Sequence, residues 1–241
     1  MLRLFCILVL ILVGIPSFSQ VIPEARSRRL ANLPGYEFQQ LHFGFLIGFN
    51  FLDYHIYNTG ARTSDNKYVA RYAEVEDLAP GINLGIITDL RIARNLNLRV
   101  LPGVSFGERN LTFYNEFGEK VDEDPLRIKS TFIDFPIVLK YSAFRLHNVQ
   151  PFVDTGVSFK YDLARDKQSQ LQMKSFDTCL DFGAGLDFYL QYFRFSVELK
   201  SSFGLTNLHK LEVDADYEDR PYQQAINALK SRVFSINFFF E

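Results

Sequence analysis

Arg232–Glu241 reads R-V-F-S-I-N-F-F-F-E, and the parity of this stretch decides the fold. Phe234, Ile236, Phe238 and Phe240 share one face, while Ser235 and Asn237 share the other. A period of two with aromatics on one side is a β-strand signal. Left as an open edge, so apolar a strand is an aggregation site. A barrel in which this strand closes against the first one removes the edge, and the rest of the sequence can be tested for that barrel.

Working back from it, the pattern recurs. In His42–Phe51, the residues Phe43, Phe45, Ile47, Phe49 and Phe51 oppose His42, Gly44, Leu46, Gly48 and Asn50. Similar alternation marks Gly81–Leu90, Leu96–Gly107, Phe132–Tyr141, Pro151–Tyr161, Asp177–Phe188 and Phe193–Leu205. Pro102 is the awkward residue, since it removes a ladder donor and points to a bulge. With the final stretch these make eight strands, each near the length that crosses a bilayer when tilted. The connections alternate long and short from the first to the last. The long ones are Tyr54–Ala79, Asn110–Arg127, Asp162–Lys174 and Asn207–Lys230. Long outer loops, short periplasmic turns and an even strand count are the outer-membrane pattern. The expected fold is all-β: an eight-stranded antiparallel up-and-down transmembrane β-barrel of outer-membrane type.

Which face points outward separates this from a soluble barrel of lipocalin type. Phe and Leu crowd one face, while the other holds the charges and most strand glycines. Eight strands leave an interior just wide enough for side chains to fill, so the small and polar face belongs inside. Asp89, Asp134, Asp154, Asp177, Asp181, Asp187 and Glu198 then meet Arg99, Lys140, Lys160, Arg194 and Lys200 in the lumen. Buried charges must pair, so these residues are expected to plug the barrel as a network of ion pairs and hydrogen bonds. Phe234, Ile236, Phe238 and Phe240 are expected to face lipid on the barrel-closing strand.

The chain has 241 residues and is 47% hydrophobic, enough for one such domain. Residues 1–19 read as a signal peptide, with Arg3 before an apolar Leu4–Ile15 core and Ser17 and Ser19 before the cut. Residues 20–40 read as an N-terminal periplasmic arm and residues 41–241 as the barrel. Export then places the protein in the outer membrane of a Gram-negative bacterium. A net charge of −2 with no basic cluster gives no reason to expect nucleic acid as a partner. Cys179 is the one cysteine left after signal removal, and is expected to be buried filler.

No nucleotide loop, zinc spacing or nucleophile elbow is present, so no cofactor, no metal and no enzymatic activity is expected. His55 and His209 are the histidines that could meet at the outer rim, with Ser64, Asp65 or Asp214 as partners, but no spacing selects them. Asp219-Arg220-Pro221 resembles a helix start, with an N-cap and a first-turn proline. Ala225, Ile226 and Leu229 would then form an apolar stripe, either on a lid over the barrel mouth or on a helix that docks a partner subunit.

These residues resemble the PorT family of outer-membrane β-barrel proteins over most of the mature chain. The likeness is carried by Leu41-His42-Phe43-Gly44 and by Asp134-Phe135-Pro136-Ile137-Val138-Leu139-Lys140-Tyr141. Pro151-Phe152-Val153 with Gly156, Phe182-Gly183-Ala184-Gly185-Leu186-Asp187, Glu198-Leu199-Lys200 and Gly204-Leu205-Thr206-Asn207 extend it. The resemblance implies a non-enzymatic component or accessory of the type IX protein secretion system, which in some bacteria supports gliding. Its expected partners are outer-membrane lipid, other secretion-system subunits and, during biogenesis, the barrel assembly machinery. The alternative is a generic small barrel serving adhesion or envelope integrity. Glu241 departs from the usual pattern for assembly signals, which puts the aromatic residue last.

Overall fold

The computed structural model describes residues 32–36, 39–58, 72–115, 117–121, 126–163, 173–210 and 226–241. The stretch read as a signal peptide, residues 20–31 of the expected arm, Ser64, Asp65, Asp214 and Ala225 lie outside the described residues.

Among the described residues, ten strands form one antiparallel sheet. They are β1 (Leu41–Asn58), β2 (Tyr72–Leu78), β3 (Pro80–Ala93), β4 (Leu96–Val100) and β5 (Gly103–Tyr114). β6 (Leu126–Ser142), β7 (Val149–Asp162), β8 (Phe176–Tyr189), β9 (Arg194–Gly204) and β10 (Ile226–Phe240) complete it. Eight long strands close into a ring, because two pairs of these segments are halves of one strand. β2 continues β3 across Ala79, both pairing with β5. β4 and β5 are separated by Leu101 and Pro102, and both pair with β3 and β6. The break falls at the proline that cannot donate to the ladder. Leu101 and Pro102 still join their neighbours, through Leu101 N to Pro136 O (3.0 Å) and Ile86 N to Pro102 O (2.9 Å).

The ring closes where β1 meets β10 in an antiparallel register running from Phe45↔Phe240 to Asn58↔Ile226. Phe45 and Phe240 stack across this seam with centroids 4.8 Å apart. Connections 94–95, 143–148 and 190–193 gather at one end, the turn end, together with the start of β1 and the finish of β10. The long connections gather at the other, the loop end.

Side-chain alternation is inverted relative to a soluble protein. Phe43 is 63% exposed and Ile86 61%, whereas Asp89, Arg99 and Lys140 inside are fully buried. On β6 the outward row runs Ile133, Phe135, Ile137, Leu139, Tyr141. At about 3.3 Å per residue and a tilt of about 40°, that row covers about 20 Å of membrane depth. Beyond it β6 turns polar, with Lys129 and Arg127 exposed.

The wall continues past this belt, which the sequence reading assigned to loops. Tyr54–Asn58, Tyr72–Leu78, Asn110–Tyr114 and Leu126–Arg127 are strand, not loop, and β6 runs on unbroken through Ile128–Ser130. They enclose an apolar cluster of Tyr54, Ala73, Leu111, Phe113, Ile128, Leu208, Ile226 and Leu229. Residues that looked like loop chemistry therefore line a second interior at the loop end.

The expected helix stripe is corrected in the same region. Ile226 and Leu229 lie in β10, and both are buried. A register shift pairs Tyr57 with Ala228 but Asn58 with Ile226, so Asn227 is an extra residue. That bulge turns residues three apart to the same side, reproducing in a strand the spacing of a helical stripe.

Candidate functional site

The lumen is the site that the sequence reading singled out, and its contents fall into layers. Each layer is set by strand parity: every second residue of each strand points inward.

At the turn end, Asp89 Oδ2 accepts from Arg99 Nε (2.9 Å) and Arg194 Nη2 (3.0 Å). Glu241 Oε1 accepts from Arg99 Nη2 at 2.7 Å, and its other oxygen pairs with Arg194. Asn97 Nδ2 donates to the second oxygen of Asp89 at 2.5 Å. Arg99 also lies against the rings of Phe152 and Phe239. Beside this cluster, Lys140 Nζ donates to both oxygens of Asp187, at 2.8 and 2.6 Å, and sits over the Phe152 ring. Neither side chain of that pair has any exposure.

In the middle layer, Lys160 pairs with Asp134 at 3.3 Å, and Ser105 Oγ donates to the same carboxylate. Lys200 pairs with Asp181 at 2.7 Å, while Ser158 Oγ donates to Asp181 Oδ1 at 3.0 Å. Asn50, Asn83 and Asn237 form an amide chain along the inner wall of the neighbouring strands β1, β3 and β10. Between these groups lies a cavity of about 50 Å³, lined by Asn50, Asn83, Lys160, Lys200 and Asn237 among others. That is room for a few waters, far short of a continuous pore.

Toward the loop end, Arg109 is fully buried. It donates to Tyr54 Oη (2.8 Å), Ser130 Oγ and Ser231 Oγ (both 3.2 Å), and stacks 4.1 Å from the Tyr54 ring centroid. Leu52, Phe132 and Val233 pack beside it, and the larger apolar cluster follows.

All twelve residues named from the sequence therefore line one interior. Nine of them form the carboxylate–cation pairs above; Asp154, Asp177 and Glu198 have no cation within 4 Å among the described residues. Asp177 Oδ2 instead accepts from Cys179 Sγ at 3.5 Å. Two network members were missed, Arg109 and Glu241. Arg109 was assignable, since it continues the inward parity of Gly103, Ser105 and Gly107 past the expected strand end. Glu241 was read as a departure at the end of an aromatic strand, and its role needs the curl of the side chain into the lumen.

The remaining candidates separate. His55 is exposed on the outer wall, edge-on to Tyr57 (4.6 Å). His209 is buried, in a bridge with Met173. Burial, followed by the charge of Lys174, pushes the His209 imidazole below its ordinary value.

The described part of the arm caps the turn end. Asn32 N donates to Asn148 Oδ1 (2.8 Å) and Asn32 Nδ2 to Tyr189 O (3.0 Å). Tyr36 stacks on His42 at 4.2 Å, and Arg194 reaches under its ring. Burial raises the Tyr36 phenol above its usual range, so this ring stays neutral over the mouth.

Residues 18–210 match the family described as outer membrane protein beta-barrel domain. No curated protein matches the chain. Among solved structures, the chain is similar to the outer membrane protein OprG from Pseudomonas aeruginosa, at 14% identity and a TM-score of 0.44, covering 83% of this chain and 95% of that one. It is also similar to Ail, the attachment invasion locus protein of Yersinia pestis, solved with the heparin analogue sucrose octasulfate. There the identity is 12% and the TM-score 0.36, over 84% and 99% of the two chains. The N-terminal β-barrel domain of Pseudomonas aeruginosa OprF is similar at 10% identity and a TM-score of 0.33, over 81% and 97%.

Proposed function

Because the chain belongs to the outer membrane protein beta-barrel domain family, we propose that it is a non-conducting, non-enzymatic barrel that acts through its two ends. The observation that carries this reading is the filled lumen. Ion pairs occupy the turn end, an amide chain and a cavity of about 50 Å³ the middle, and apolar side chains the loop end. A barrel so filled offers its rims to partners. In this reading the turn end, with Asn32–Tyr36 against it, faces the periplasm, and the long connections face outward. The signal peptide delivers it, and the assembly machinery reads the aromatic β10.

The resemblance to the PorT family supports a narrower role as an accessory of type IX secretion, held in outer-membrane lipid and touching other subunits through its loops and arm. Deleting the gene tests this: loss of type IX cargo from the medium, restored by complementation, is the expected result. Unchanged export would overturn it. In planar bilayers the purified barrel is expected to give no steady conductance; sustained open-channel steps would overturn the non-conducting reading.

A second reading, a small barrel for adhesion or envelope integrity, is favoured by the wall beyond the lipid belt. Its internal cluster around Leu111 and Leu229 makes the loop end a firm platform for surface contacts. It predicts normal cargo export in the deletion strain, together with altered attachment or detergent sensitivity.

A further inference from the structure

Asp154 on β7 and Glu198 on β9 face one notch in the lumen, left by Gly183 on the strand between them. Gly183 pairs with Asp154 in the β7–β8 register, and Glu198 stands diagonally opposite on β9. A Cβ built on Gly183 would collide with Asp154 Oδ1 and lie 3.1 Å from Glu198 Oε1. Two carboxylates thus converge on a space that a single methyl group would fill. Both are buried, Asp154 to 7% exposure and Glu198 to 2%.

Among the described residues, neither carboxylate has a cation within 4 Å. Asp154 Oδ1 has no hydrogen-bond partner. Glu198 Oε1 accepts from Asn237 Nδ2 at 3.5 Å, a long contact. Holding two negative charges so close in a buried interior is expensive, and such pairs keep one proton between them. The charged groups facing them from the packed strands are Lys200 of β9, Asp181 of β8, Lys140 of β6 and Arg99 of β4. Each of those cations already answers another carboxylate: Lys200 answers Asp181, Lys140 answers Asp187, and Arg99 answers Asp89 and Glu241.

A metal ion suits the notch poorly. Calcium or magnesium takes six or more oxygen ligands, and Asn237 turns its donor nitrogen, not its oxygen, toward Glu198. Among the described residues no group of three or more potential metal ligands gathers. A proton asks for no more than the two oxygens on hand.

We propose that Asp154 and Glu198 form a proton-sharing carboxyl pair that holds one proton inside the folded barrel. The proton is taken from solvent as the strands close, and the notch at Gly183 lets the two oxygens approach without an intervening side chain. The pair is one of the lumen's means of charge balance, beside its ion pairs.

Infrared spectroscopy of the refolded full chain in detergent micelles tests this. At pH 7 the wild type is expected to show the carbonyl stretch of a protonated carboxyl. Asp154→Asn and Glu198→Gln should each remove it while keeping the heat-shifted gel migration of a folded barrel, because an amide mimics the protonated acid. No such band in the wild type would overturn the proposal. So would a band that survives in both variants, or amide variants that fail to fold. A wild type that lacks the band and gains heat resistance with added sodium or calcium would assign the notch to a cation instead.

Discussion

Glu241 accepts a hydrogen bond from Arg99 at 2.7 Å, although the two stand 142 positions apart and on strands that are not neighbours in the ring. The contact crosses the lumen from the end of β10 to β4. Arg99 and Arg194 share two carboxylates there, Glu241 and Asp89, and all four side chains are almost wholly buried.

Glu241→Gln leaves two buried arginines with Asp89 as their remaining carboxylate. Losing one partner of a buried ion network costs on the order of 3 kcal/mol. Urea unfolding of the refolded variant in detergent should show a lower midpoint with an unchanged slope. A wild-type midpoint would mean that the carboxylate adds nothing to the network.

Lys140→Met isolates Asp187 in a site with no exposure, and should cost about 3–5 kcal/mol. Pairing it with Asp187→Leu should recover much of that loss, because the penalty lies in the stranded charge. A double-mutant cycle measures the coupling directly; additive losses would show that the pair does not act as a unit.

Ile137→Lys tests the lipid belt. Ile137 lies midway along the outward row of β6, and a lysine at the bilayer midplane costs about 2–4 kcal/mol. Lys129→Ala, above the belt on the same strand, should change stability little. Equal effects at both positions would misplace the membrane boundary.

His209 gives the loop end a pH dependence. Burial and the Lys174 charge lower its folded-state affinity for a proton, and among the described residues its Nε2 has no partner. The unfolded segment therefore binds more protons below about pH 6.5. Stability from this site is full above that pH and falls as pH drops through it. The Lys174 amide, which donates to Leu208 O at 2.8 Å, should lose exchange protection between pH 7.5 and 5.5 after correction for intrinsic rates. His209→Phe should flatten that loss.

Strand parity carried most of the fold. The inward and outward rows of β6, β7, β8 and β9 are readable because lipid and a packed lumen demand opposite chemistry from alternate residues. Pro102 pointed to a bulge, but the ladder breaks there with its register unchanged, from Val100↔Ile137 to Gly103↔Asp134. Legibility fails where the solvent changes. Above the belt the outer wall meets water, so Arg127 and Lys230 look like loop residues although the strands run on. The bulge at Asn227 hides β10's first residues further, by giving Ile226 and Leu229 a helical spacing. The site was legible as a list of charges but not as a pairing scheme. Which carboxylate takes which cation depends on register and side-chain reach, as Glu241 and the unpaired Asp154 and Glu198 show.

The cluster around Leu111 and Leu229 stands above the lipid belt, and so has a thermal character of its own. Apolar surface withdrawn from water gives unfolding a positive heat capacity and loosens on cooling. Side chains facing lipid exchange one apolar medium for another and have no such dependence. The rim behaves as a small water-soluble domain welded to a membrane wall. Cold or mild denaturant should open it first, from the loops downward, while the belt stays zipped. A partner pulling on the loops can thus melt the rim without unseating the protein from the membrane.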